Sequence, residues 1–539
     1  MATQDQPVVA PTATATADVF VRKSSGLKRQ VGGWDAVTYC ILNSGCLNYT
    51  FFLVFALGVY PGYSVYGAMA IGLTMLVVVG VYWHFSIAMP RSGGEYVYLT
   101  RVLSPGAGFT VSFIISVLYV SFVGVGTEYI ISYVLQPMLR GLAFSTGHSG
   151  WNSAANTVGR RGWQALIGTG VIGLIAFMWL RGPRSTMRLM WAGFTVGIAG
   201  LVTVLVVLIA NGHSGFVRAF NKSSGATYQG ILHAAAKGGL LQSAGFKTTL
   251  AAGVVFVFLG LLGTQCSANI AGEVRNIRRS QTIALFGSVV ISLALWSALY
   301  ATVSGFVGHN MYQALAGLWN AGDKGYPLQG PPMIGLLLGF GGGSPAVVLF
   351  GIFLVINQVA SGAGLGFATT RNLFAWSFDR LAPMRLTELS RRGQPKWTIL
   401  VTLLGAELFL LLAVFQPAFT TYLDYSVASW MVGWIILGVG AVVFPYVRRE
   451  MFAAAPPAVQ KRIGTIPLVS ILGVLMVAVC GVSFYYSAKS FWEGDVPRAG
   501  IITSVVVIVL PIVSYVGWKL YRSSRGMPSG VQFKALPPE

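Results

Sequence analysis

Long apolar runs, parted by short stretches of Gly, Pro, Ser and basic residues, recur along the whole chain. A helix rises 1.5 Å per residue, so about 20 apolar residues cross about 30 Å of hydrocarbon. Scanned on that basis, the pattern predicts about twelve spans. They fall at 34–59, 64–88, 106–140, 162–181, 188–211, 250–273, 281–308, 344–371, 397–417, 421–446, 465–488 and 499–520. An even number of spans leaves both termini on one side. The stretches near 141–161, 212–249 and 309–343 are long and rich in Gly and polar residues. They read as short helices or lids over a vestibule, or equally as passive connectors.

Composition supports burial in lipid. The chain is 55% hydrophobic and only 9% charged, where a soluble protein carries about 25% charged residues. Such a chain cannot build a polar shell, so lipid covers much of its surface. The net charge of +21 does not point to nucleic acid, because the cations sit between apolar runs and no basic-aromatic stripe accompanies them. About 26 cations fall on one side of the predicted spans and about 10 on the other, which places both termini in the cytoplasm of a cell-membrane protein. Residues 1–30 are Thr/Ala/Pro-rich without a basic n-region, a disordered cytosolic tail rather than a signal peptide. The four cysteines, Cys40, Cys46, Cys266 and Cys480, form no CxxC pair and have no zinc spacing. No metal or cofactor is implied.

Two spans carry an interruption. Span one contains Asn43-Ser44-Gly45-Cys46-Leu47-Asn48. Asn and Ser compete for backbone hydrogen bonds and Gly weakens helical order. Either the helix breaks here, lining a cavity with bare N–H and C=O groups, or this is a packing patch of small residues. Span six repeats the pattern in Gly260-Leu261-Leu262-Gly263-Thr264-Gln265. Span six follows span one by five. Paired interruptions at equivalent positions suggest inverted repeats around a central site.

A third stretch follows span two: Pro90-Arg91-Ser92-Gly93-Gly94-Glu95-Tyr96-Val97-Tyr98, then Gly108-Phe109. Here the chain resembles the amino acid–polyamine–organocation (APC) permease superfamily. Ala271-Gly272-Glu273-Val274-Arg275-Asn276, Gly182-Pro183-Arg184-Ser185 and Asp379-Arg380-Leu381-Ala382-Pro383 are similar to its other signatures. The resemblance covers roughly residues 30–450.

It implies an all-α polytopic protein of the LeuT type: a 5+5 inverted repeat with discontinuous helices one and six, then two peripheral helices. The repeats would occupy 31–211 and 250–447, joined by an extracellular loop at 212–249. The peripheral helices would occupy 448–522, and 523–539 a cytosolic tail. It implies a secondary transporter of an amino acid or related amine, not an enzyme, working by alternating access with a proton or by exchange. The same fold also carries other small solutes, such as a nucleobase or organic cation. By position, Ser44 and Gly45 would bind the substrate carboxylate, and the carbonyls of Ile41 and Leu262 its ammonium, with Gly263 as the second break. Helix ends of those polarities suit those charges. Asn43 stands where relatives carry Gly, and would narrow the site or bond the ligand. Leu259 stands where some carry an aromatic gate. Span five has no cation from Trp191 to Asn211, so a mid-helix lysine is absent.

Three acids fall within spans: Glu128, Glu407 and Asp424. A charge at mid-bilayer costs about 2.5–3.5 kcal/mol on insertion scales, so each needs a cavity, a cation or a proton. Glu128 is the candidate for binding a cationic side chain or carrying a coupled proton, with a buried packing acid as the alternative. Glu95 and Glu273 lie near Arg91, Arg275, Arg278 and Arg279, as inner-gate ion pairs or as solvated loop charge. No HExxH, GxSxG or GxxxxGK motif supports an enzyme or an ATPase.

Overall fold

The computed structural model describes residues 29–44, 49–416, 418–492, 498–524 and 533, apart from the side chains of 49–50, 424–425 and 490–492. Gly45 and Asp424's side chain therefore lie outside the described residues. Among the described residues, ten helices are long and apolar enough to cross a membrane. They correspond to the predicted spans two to five and seven to twelve. Spans one and six are the exceptions: span six is interrupted, and span one is described as two helices on either side of residues 45–48, which lie outside the described residues. Span one is Gly33–Asn43 followed by Tyr49–Val59. Span six is Phe246–Gly260, a run of turns, and a 3₁₀ segment Cys266–Glu273.

Burial sorts the spans into centre and rim. The most apolar window of span three, Pro105–Thr146, is 78% buried, against 22% in spans four and twelve. Span three is also longer than its apolar run predicts, and carries a π-turn at Ile130–Leu135 just after Glu128. Span five breaks at Gly212, where φ is 60° and ψ 173°, one residue beyond its predicted end at 211, and a further helical stretch then runs to Ser223. Spans five and eight touch through glycines: a Cβ on Gly193 would overlap with Ala360, and one on Gly200 with Phe353. Small residues let membrane helices approach where no hydrophobic drive separates them from lipid.

The loop after span two departs from a simple turn. Gly93 and Gly94 both have positive φ, 110° and 44°, which L side chains rarely adopt. They tip the Gly94–Val102 helix inward until all nine of its residues are buried. The Gly93 N–H donates to the Asn269 carbonyl at 2.9 Å, binding this loop to the 3₁₀ half of span six. The long stretches on the opposite face hold short helices at Gly150–Val158, Tyr228–Lys237 and His309–Asn320. Among the described residues the only strands are Arg462–Ile463 and Ile466–Pro467, a small hairpin before span eleven.

Candidate functional site

The inner half of span one ends at Asn43, with Ser44 as its C-terminal cap, still in the right-handed helical region. Ser44 Oγ donates to the Ile41 carbonyl at 2.8 Å, and Ser44 N to the Cys40 carbonyl at 3.0 Å. The same hydroxyl lies 3.3 Å from Ser292 Oγ on span seven. In span six the helix stops at Gly260. Gly263, at φ 107°, turns the chain back, and its N–H donates to Gln265 Oε1 at 2.9 Å.

These two breaks meet. A Cβ on Gly263 would overlap with the Asn43 carbonyl and stand 2.7 Å from the Ser44 amide nitrogen. Only glycine fits both the backbone and the space. The sequence-predicted residues Ile41, Asn43, Ser44 and Gly263 are thus brought together, with Leu259 and Leu262 half-buried beside them. Span three adds Tyr119, fully buried; its hydroxyl accepts from Gln265 Nε2 at 3.3 Å and from the Cys266 thiol at 3.2 Å. Tyr119, Gln265 and Ser292 were not singled out from the sequence. No local pattern distinguishes them from ordinary polar residues in a helical bundle.

Asn43 is the unusual group. Its amide nitrogen and oxygen are buried and have no hydrogen-bond partner. Its backbone carbonyl faces Gly263, while its side chain presses on Gly364 of span eight, against which Met190 of span five also packs. Tyr39 Oη donates to the Gly364 carbonyl at 2.9 Å and Trp179 Nε1 to the Ala363 carbonyl at 3.0 Å. Span eight is therefore pinned around this point. Asn357 Oδ1 and Gln358 Oε1, also on span eight, and Trp430 Nε1 on span ten are buried without partners too.

Glu128 lies elsewhere. It accepts from Ser132 on its own helix and from Gln164 Nε2 of span four at 3.5 Å. Among the described residues, none of its hydrogen bonds reaches either break. Glu407 of span nine accepts from Thr169 of span four at 2.6 Å. Both acids thus face span four.

On the face that carries the termini, the expected pairings are redrawn. Glu273 is held by Arg371 of span eight, at 2.7 and 3.2 Å, not by Arg275, Arg278 or Arg279. Arg275 Nε instead donates to the Arg29 carbonyl at 3.2 Å. The backbone there forms a strap: Gln30 and Val31 donate to the Glu273 carbonyl, and Arg275 donates to the Val31 carbonyl. Glu95 accepts from Tyr82 and from Asn269 Nδ2. A second buried pair joins Arg101 to Asp379 at 2.7 Å, with Tyr96 Oη also donating to Asp379. The Arg101–Asp379 and Arg371–Glu273 partners lie 278 and 98 residues apart, too far for any local spacing rule.

Residues 35–513 match the family model described as Amino acid permease. Over 335 residues the chain is 25% identical to the Branched-chain amino acid permease BcaP of Lactococcus lactis subsp. cremoris (strain MG1363). That match covers 59% of this chain and 62% of the relative, so it spans less than two thirds of the relative's length.

Proposed function

We propose that this chain, which belongs to the Amino acid permease family, moves an amino acid or related amine across a membrane by alternating access. The observation that carries the proposal is the meeting of two helix breaks, with Gly263 against the Asn43 carbonyl and Ser44 amide. A zwitterion needs both polarities of backbone at one point, which opposed helix ends would supply once a ligand takes the place of the bonds that Ser44 makes to the Cys40 and Ile41 carbonyls. Ser44, Gly45 and the carbonyls of Ile41 and Leu262 would hold the backbone of the substrate. Leu259 would wall its side chain.

The ten continuous spans and the two broken ones would make twelve crossings in two inverted repeats. The terminal face would be cytosolic, as the cation bias requires. The strap at residues 30–31 and the Arg371–Glu273 and Arg101–Asp379 pairs would then form the inner gate. Glu128 faces span four, which favours a packing role over binding a cationic side chain. That leaves the site without an acid among the described side chains, and favours a substrate with a neutral side chain. The relative's name points the same way, to branched-chain amino acids. The unpaired Asn43 amide keeps a second solute class in view, since a nucleobase edge offers matching donors and acceptors.

Purified protein screened by thermal shift against amino acids, amines and nucleobases tests this. A ligand at a hundred times its dissociation constant stabilises by about 2.7 kcal/mol. We expect leucine, isoleucine or valine to stabilise, and the same solute to show saturable counterflow in proteoliposomes. Stabilisation by nucleobases alone, or uptake that does not saturate, would overturn the amino-acid assignment.

A further inference from the structure

Glu95 is the buried acid that the transport reading leaves unused. It lies in the Gly94–Val102 helix, outside the spans, with no solvent exposure. Its oxygens meet the Tyr82 hydroxyl of span two and Asn269 Nδ2 of span six, the latter at 3.0 Å. Each donor is itself held by a buried partner. Trp434 Nε1 of span ten donates to Tyr82 Oη at 2.9 Å. Asn269 Nδ2 also donates to Asn372 Oδ1 of span eight at 3.3 Å, and Asn372 Nδ2 donates to Ser116 Oγ of span three at 2.9 Å.

No Lys or Arg pairs with Glu95 among the described residues. Its own helix contributes Arg101, which is committed to Asp379, and Tyr96, which donates to the same acid. Tyr98 of that helix donates to the Ala268 carbonyl. Span eight contributes Arg371, committed to Glu273 of span six. The other titratable neighbours, Tyr82, Tyr119 and Cys266, are fully buried. From span ten comes Trp434, and at its far end Arg448, which donates to the Arg101 carbonyl. Burial therefore pushes the Glu95 carboxyl above the ordinary carboxylate range, and the bonds from Tyr82 and Asn269 offset that only in part.

The chain of amides accepts either charge state. With Glu95 ionised, Asn269 and Asn372 donate along it as described. Turning both amides by half a turn reverses it. Ser116 O–H then donates to Asn372 Oδ1, Asn372 Nδ2 donates to Asn269 Oδ1, and the protonated Glu95 donates to that same oxygen. An amide oxygen has two lone pairs, so it takes both bonds.

We propose that Glu95 is a proton-binding site of the inner gate, taking a proton from the cytosol as the gate closes and returning it as the gate opens. The five segments that meet at this chain, from the Gly94–Val102 helix and spans two, three, six and eight, are those whose separation would expose it. This rests on the alternating-access reading and on the terminal face being cytosolic. The sign follows from the two states. The exposed carboxyl titrates at its ordinary value and the buried one higher. Proton binding therefore favours the closed gate fully below the ordinary value. That preference is lost as pH rises through the raised one.

Hydrogen exchange on the full-length purified protein, without any solute, tests it. Peptides covering residues 92–103 and 266–275 are compared at about pH 6 and about pH 8, after correction for the chemical exchange rate. We expect wild-type protein to exchange faster at the higher pH, by up to about tenfold per pH unit. Glu95→Gln, a permanently neutral mimic, should be slow at both, and Glu95→Asp should restore the pH dependence. Equal corrected exchange at both pH values in wild type, or a Glu95→Gln profile that follows wild type, overturns the proposal. If Glu95→Gln fails to fold, the wild-type and Glu95→Asp profiles decide alone. Failure of leucine, isoleucine and valine to stabilise the protein would sink the substrate reading, yet leave this exchange result to be judged separately.

Discussion

At the terminal face the segments next to the two breaks are held by buried ions and amides, whereas at the opposite face the corresponding contacts are aromatic. Arg371–Glu273 and Arg101–Asp379 are both almost wholly buried, and Arg371 also lies 3.7 Å over the Phe367 ring. Beyond the breaks, Phe51 of span one packs edge-on against Tyr129 of span three at 6.3 Å and tilted against Tyr133 at 5.4 Å. Phe55 lies between Tyr133 and Trp319. The two seals respond to water differently. An ion pair taken apart in water regains hydration for both partners, so opening that face is not ruinous. An aromatic cluster gains little from water and reseals by apolar burial. If the two faces open in turn, the polar one would part with hydration of both partners, while the aromatic one would reseal by apolar burial.

The largest expected effect is at the ion pairs. Arg371→Ala leaves Glu273 buried and uncompensated, which costs about 3–5 kcal/mol. It should lower the unfolding temperature in detergent strongly, and a double replacement by apolar residues of similar volume should recover most of it. A small drop for the single variant would mean that water already reaches this pair. Next comes the junction itself. Gly263→Ala forces a φ of 107° on a residue with a Cβ, a strain of about 1–3 kcal/mol, and drives that Cβ into the Asn43 carbonyl. Uptake should be abolished even where folded protein remains. Retained uptake would remove this contact from the site. Smaller again is the aromatic coupling. A double-mutant cycle on Phe51→Leu and Tyr133→Leu should give about 1 kcal/mol beyond area loss, and a coupling near zero would make the outer contacts passive.

The sequence reading reached the helices and their two interruptions because both are written locally. Apolar runs set the spans, and Asn43-Ser44 and Gly260 to Gly263 carry the residues that stop a helix. The meeting of the breaks was inferred from their spacing, and Gly263 against Asn43 places them in contact. Partner choice was not legible. Glu273 has three arginines within six residues downstream, and an arginine from span eight binds it instead. Glu128 looked central because span three is central. A helix has several faces, though, and this residue lies on the one toward Gln164, four residues from the start of span four. The full burial of the Gly94–Val102 helix goes with two consecutive positive-φ glycines and the bond to Asn269, which composition alone does not reveal.

The smallest effect sharpens the contrast between buried and exposed charge on one face. Glu388 and Lys396 pair at 2.9 Å, but each side chain is about half exposed, 48% and 49%. The hydrogen bond from Lys396, with that from Trp397, holds the Glu388 carboxyl below the ordinary carboxylate range. Any stability it contributes is therefore present above the ordinary value and lost as pH falls through the lowered one. Water and salt screen such a pair, and many exposed pairs contribute nothing measurable. Lys396→Gln should leave the unfolding temperature unchanged at physiological ionic strength, and raising the salt should leave wild type unchanged as well. The buried Arg371–Glu273 pair, of the same charge types, should be equally blind to salt for the opposite reason: no ion reaches it. A clear loss of stability in Lys396→Gln that salt abolishes would mean that long-range surface charge, rather than burial, holds this face together.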